Sequence, residues 1–161
     1  MVVILIGVAG AGKTTIGRAL ANELDWRFVE GDDYHAPAAV AKMRAGAPLT
    51  DADRAAWLRA LHAMIAAALG RREHLILTCS ALKARYRQIL RGDLRSVRFV
   101  YLNADAQTLA RRLADRGGHF AGPGLLASQL ADLEPPSDAL TIDATRPPGE
   151  IVGTIQRELG L

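Results

Sequence analysis

Residues 7–14 read Gly-Val-Ala-Gly-Ala-Gly-Lys-Thr and match G-x-x-x-x-G-K-[ST] at every fixed position. The residue types suit one task. Glycines let the backbone turn so that successive N–H groups point inward at phosphate oxygens. A helix beginning at the end of the loop adds its positive N-terminus. Lys13 is a mobile charge for β- and γ-phosphates, and the Thr14 hydroxyl is a ligand for Mg²⁺. Gly7, Gly10, Ala11, Gly12, Lys13, Thr14 and Thr15 therefore form the candidate phosphate-binding set.

Two carboxylates follow at Glu30 and Asp32, where an apolar run ends in Glu-Gly-Asp-Asp. Spaced one residue apart at a strand tip, they are expected to share one side. One would help organise Mg²⁺ while the other accepts a hydrogen bond from an attacking hydroxyl. The third apolar run ends in Thr78-Cys79-Ser80 and offers no carboxylate. Arg112 and Arg116 lie four residues apart, on one helical face, just before Gly117-Gly118. That pattern reads either as a solvated arginine face or as a lid, spanning about 112–124, whose arginines neutralise transferring charge. His35 and His119 fall in predicted loops, Cys79 reads as a small core residue, and Trp57 reads as packing.

These residues need a scaffold, and the pattern supplies one. Val2–Ile6, Trp26–Val29, Leu75–Thr78, Val97–Leu102 and Leu140–Asp143 are short apolar runs, as buried parallel strands require. Helical patterns separate them. They run from the phosphate loop through Leu24, from about Asp51 to Leu69 with Thr50 or Asp51 as N-cap, and from Asp105 to about Arg116. Two more cover Leu125–Leu133 and a final stretch marked by Ile151, Ile155 and Leu159. Alternating strands and helices predict an α/β fold with a five-stranded parallel sheet flanked by helices, its ligands at the carboxyl edge. A chain of 161 residues suffices for one domain.

Composition narrows the classes. Hydrophobic residues at 50% against 23% charged exclude a disordered chain. A single cysteine excludes a disulfide framework and a cysteine-based zinc site. The apolar opening is too short to span a bilayer and lacks a basic leader, so a cytoplasmic protein without membrane partners is expected. The net charge of +3 comes from scattered arginines with no basic run, so no nucleic-acid partner is expected.

The chain resembles the gluconokinase family within the small P-loop metabolite kinases. The resemblance rests on the phosphate loop, Gly31-Asp32 with His35, Lys42-Met43, Asp53-Arg54 with Trp57-Leu58, and above all Cys79-Ser80-Ala81-Leu82-Lys83 with Tyr86-Arg87. Gly118-His119-Phe120, Ser128-Gln129 and Leu133-Glu134 complete it. It implies phosphorylation of D-gluconate on its C6 hydroxyl with ATP and Mg²⁺. Lys13, Asp32 and Arg116 would be catalytic, and Thr14 and Glu30 would serve the metal. Arg112 and Arg146 would join the phosphate loop in holding the nucleotide. His35, Arg54, Lys83, Arg87, His119 and Gln129 would join Asp32 in holding the sugar acid. Oligomeric state stays open, with a homodimer among the alternatives. The family usually has Asp at position 30, Pro at 36 and Asn at 39, where this chain has Glu30, Ala36 and Ala39. Shikimate kinases, the alternative, carry a triple glycine where Cys79–Lys83 stands. An ATP-binding switch and a nucleic-acid end kinase are the rivals from other classes.

Overall fold

The apolar runs pair as a parallel sheet of five strands in the order β2-β3-β1-β4-β5 in a computed structural model that describes residues 1–45, 47, 49–115 and 123–161. The strands are β1 (Val2–Ile6), β2 (Arg27–Glu30), β3 (Leu75–Thr78), β4 (Val97–Asn103) and β5 (Leu140–Asp143). The central strand β1 is buried along its whole length, which explains its unbroken apolar sequence. Its alternate side chains feed two cores. Val2, Ile4 and Ile6 pack with Leu58, Leu61 and Ile65 of α3 (Asp51–Gly70) and with Tyr86 and Leu90 of α4 (Ala84–Arg91). Val3 and Leu5 pack instead with Ile16 and Leu20 of α1 (Lys13–Leu24) and with Ile151, Val152 and Ile155 of α7 (Pro148–Leu159). Helices thus cover both faces, and the carboxyl edge stays open for chemistry.

Local signals set the helix ends. Thr50 caps α3 and forms a reciprocal capping box with Asp53. Lys42, near the end of α2 (Pro37–Arg44), places its Nζ 2.7 Å from the same Asp53 carboxylate. The Lys42 hydrogen bond, with the Thr50 donors, holds the Asp53 pKa down at about 2. The helix α4 lacks a predicted counterpart: its eight residues carry three arginines, and its apolar face is the single Tyr86-Ile89-Leu90 step, too short to extend over a second turn. Gly31–Tyr34 forms a 3₁₀ turn after β2. That turn ends the strand alternation, so the period-two argument does not relate Glu30 to Asp32. The expected lid falls largely on residues 116–122, outside the described residues. Its flanks are the end of α5 (Ala106–Asp115) and the start of α6 (Pro123–Asp132). Among the described residues, no helix is long and apolar enough to cross a membrane.

The register pairs Glu30 of β2 with Thr78 of β3. One residue on, Gly31 approaches so closely that an added Cβ would collide with the Thr78 carbonyl oxygen. The neighbour is backbone and cannot swing away. Gly31→Ala should cost about 1–3 kcal/mol of stability, lowering Tm by several degrees in a chain of this size. Gly153→Ala in α7, where a Cβ meets nothing within 4 Å, should be neutral or stabilising. Paired thermal melts of the two variants check this.

Candidate active site

The phosphate loop leaves β1 at Gly7 and enters α1 at Lys13. Gly12 is the N-cap of α1 and holds φ at +93°, a value that favours glycine. It brings no capping side chain, and the first turn of α1 carries no acidic residue. The N-terminal amides of this helix are thereby left for an anion. Lys13 Nζ lies back across the loop, donating to the carbonyls of Gly7 at 2.9 Å and Val8 at 3.0 Å.

Glu30 closes the cradle from the side. Its carboxylate accepts a hydrogen bond from the Thr14 hydroxyl at 2.9 Å and another from the Thr78 hydroxyl. Thr78 is fully buried and was invisible as a site residue, since a threonine at a strand end is ordinary. With its proton directed at Glu30, the Thr14 oxygen keeps a lone pair available for a cation. No group of three or more His, Cys, Asp or Glu able to hold a metal occurs among the described residues. A divalent ion here would therefore rest on Thr14, phosphate oxygens and water, with Glu30 behind, an arrangement that suits Mg²⁺.

Asp32 has a different setting. Its side chain is 73% exposed on the 3₁₀ turn, with Oδ1 3.9 Å from Nε2 of His35. The His35 side chain is only 4% exposed and stacks on Trp57, with ring centroids 4.2 Å apart. Trp57 is more than packing: its indole N–H donates to the Gly31 carbonyl at 2.7 Å. The turn carrying Asp32 is thus anchored to α3 through one hydrogen bond and one stacked pair.

A cleft of about 290 Å³ adjoins the loop, lined by Gly10, Gly12, Thr15, Arg112, Arg146 and Pro148 with several neighbours. Arg112 donates to the Ala144 carbonyl at 2.7 Å, and Arg146 pairs with Glu150 at 3.5 Å. Both arginines read as nucleotide contacts therefore stand beside the phosphate loop.

A protein-family model described as "AAA domain" matches residues 2–136. The gluconokinase of Gluconobacter oxydans is 49% identical over 135 residues, covering 84% of this chain and 76% of that protein. The chain belongs to the gluconokinase family. Among solved structures, an unliganded sugar kinase from Janibacter is 40% identical with a TM-score of 0.90, covering 99% of this chain and 94% of that one. A gluconokinase from Sinorhizobium meliloti is 36% identical with a TM-score of 0.82, covering 98% and 94%.

Within this gluconokinase-family site, the residues expected to hold the sugar acid do not all gather. Lys83 pairs with Asp132 of α6 at 2.9 Å, and that hydrogen bond raises its pKa. Arg87 is buried, and its guanidinium donates to the carbonyls of Ala81 and Leu82 at 3.1 and 3.0 Å. Its Nη1 is thereby engaged by backbone. Gln129 reaches the phosphate loop, where its Oε1 accepts from the Ala9 N–H at 2.6 Å. Arg54 sits half-buried in the first turn of α3. Arg116 and His119 lie outside the described residues. Burial pushes the Cys79 thiol up to about 12, which removes it as a nucleophile. A larger cleft of about 420 Å³ runs along α4, but no cradle residue lines it, and its Arg91 is already paired with Asp138 at 2.7 Å.

Burial lowers the His35 pKa, with the Asp32 charge opposing more weakly. The folded chain thus resists a proton that the unfolded chain accepts near pH ~6.5. Stability should be complete above that value and should fall as the pH drops below it. Urea midpoints at about pH 5 and about pH 7.5 should differ less in His35→Gln than in the wild type.

Proposed function

We propose that this chain transfers the γ-phosphoryl group of ATP to the C6 hydroxyl of D-gluconate, giving 6-phospho-D-gluconate and ADP. The observation that carries the reading is the joint placement of an uncapped α1 N-terminus, the Thr14–Glu30 hydrogen bond and an exposed carboxylate at Asp32. The same reaction follows from kinship with the gluconokinase of Gluconobacter oxydans. The whole chain serves as one kinase domain.

Phosphoryl transfer asks for position and charge neutralisation more than for covalent help. The amides of Gly10, Gly12, Lys13, Thr14 and Thr15 hold the phosphates, and Lys13 turns from its carbonyls to the β- and γ-oxygens. Thr14, backed by Glu30, would hold Mg²⁺, which when bound would neutralise phosphate charge. Arg112 and Arg146 line the nucleotide cleft. Asp32 accepts the hydrogen bond of the C6 hydroxyl and draws off its proton as the bond to phosphorus forms. His35 and Trp57 keep the Asp32 turn in place. Arg54 and His119 are the proposed partners of the gluconate carboxylate, and Lys83 reaches it by sharing its ammonium with Asp132. Arg116 is assigned from sequence to the transferring charge.

An ADP-release assay across gluconate, other hexonates, shikimate and nucleosides tests the reading, with gluconate expected to give the highest turnover. A clear preference for shikimate or a nucleoside would overturn it. Lys13→Ala should lower kcat by about 10²–10³-fold, the scale of losing one transition-state electrostatic contact, while thermal stability stays near wild type. Asp32→Asn keeps the shape of the side chain but loses its basicity. It should lower kcat strongly and change ATP affinity little; equal losses in both would make Asp32 a metal-organising residue instead.

A further inference from the structure

Gln129 stands out as a polar side chain on an apolar stripe. Leu126 of α6 is buried in the cluster that holds Val8, Ala11 and Leu109, and Leu130 and Leu133 pack against that cluster. Positions 126, 129, 130 and 133 share one helical face, so the stripe carries Gln129 into the phosphate loop. A backbone N–H can only donate, so the Ala9 contact fixes the carboxamide with Oε1 toward the loop. At its other end the α6 segment grips the β3–α4 connection three times. Asp132 pairs with Lys83 at 2.9 Å, Glu134 Oε2 accepts from the Ala84 N–H at 2.7 Å, and the Glu134 N–H donates to the Leu82 carbonyl at 2.9 Å.

We propose that Gln129 is a positioning residue that fixes the Ala9 peptide of the phosphate cradle and transmits nucleotide occupancy, through α6, to the Leu82–Ala84 segment. The inference rests on the assignment of the cradle as the ATP site. Ala9 lies on the loop's rising limb, between Gly7 and the amides that receive phosphate. An unanchored peptide there can rotate and misplace its neighbours. Filling the cradle immobilises the loop, and the bond to Gln129 makes immobilisation of Ala9 also immobilisation of α6. Linkage requires the reverse: docking of α6 favours the nucleotide-competent loop. The three contacts around Glu134 and Asp132 then carry the same ordering to the segment that holds Lys83.

Hydrogen exchange with and without AMPPNP and Mg²⁺ tests this on the full chain. In the wild type the nucleotide should slow exchange in the loop and the start of α1, in 124–134 and in 80–86. Gln129→Leu keeps the volume and removes the acceptor. There the loop should still be protected, while the protection gained in 124–134 and 80–86 should fall about tenfold. Gln129→Glu restores the acceptor and should restore the response, although its added charge weakens AMPPNP binding. Turnover should split likewise, with kcat of Gln129→Leu about tenfold down and the KM for ATP within about threefold of the wild type. Unchanged α6 protection in Gln129→Leu, or loss of it in Gln129→Glu at saturating nucleotide, would overturn the inference. An absence of loop protection in the wild type would instead overturn the ATP assignment, and the inference with it.

Discussion

The Glu30 carboxylate is the constraint on which the site depends. It lies at the end of β2, and the β2–β3 register sets it beside Thr78. One oxygen takes the Thr78 hydroxyl and the other takes the Thr14 hydroxyl from the start of α1. A half-buried carboxylate left without such donors carries a desolvation penalty, so the two hydroxyls are what allow it there. The consequence is geometric. Three elements from distant parts of the chain meet at one charged group, and the phosphate loop is thereby referenced to the strand that leads to Asp32.

From that point the acceptor side is built outward by close approach. Gly31 allows β2 to come against the Thr78 backbone, and the turn that follows carries Asp32 into solvent. Trp57 then holds the Gly31 carbonyl and stacks on His35. The Asp32 carboxylate is exposed and able to meet a substrate, yet the backbone beneath it is held by α3. Residues Ala36 and Ala39, where the family usually has other types, lie just beyond. Ala36 is the N-cap of α2, followed by Pro37 in the first turn, and Ala39 is buried. The helix starts there without a capping side chain, because Pro37 is pre-organised for a first turn.

Much of this was legible in the sequence, for identifiable reasons. All five strands were visible as short apolar runs, β1 and β3 most plainly because both of their faces are buried, and α3 because its cap and its Leu58-Leu61-Ile65 period coincide. The phosphate loop was legible because few residue types satisfy it. The helix α4 was not, being short and arginine-rich. The inferred alternation of Glu30 and Asp32 failed because hydrogen bonding through a 3₁₀ turn, unmarked in the sequence, intervenes. Thr78 was missed because its importance comes from register, a long-range property. Gln129 was placed with the sugar acid, but its position on the Leu126-Leu130-Leu133 stripe was the signal for a contact inside the fold.

Arginine chemistry explains the most distinctive stretch, Cys79 to Lys83. Ala81 holds φ at +39°, a left-handed conformation that costs energy in a residue with a Cβ. The buried Arg87 guanidinium, from the first turn of α4, spans the Ala81 and Leu82 carbonyls with one nitrogen. It fixes the strained turn by occupying both acceptors at once. Lysine would bring a strongly hydrated point charge to the same buried place and lose more on desolvation. Arginine therefore suits this buried position better than lysine. The exposed arginines behave differently: Arg71 with Glu73, Arg85 with Asp51 and Arg91 with Asp138 form paired surface ions. These pairs balance their own charge and add nothing to the basic excess. Recognition of an anionic substrate is left to the few groups at the carboxyl edge, where the amides of the cradle are already aligned.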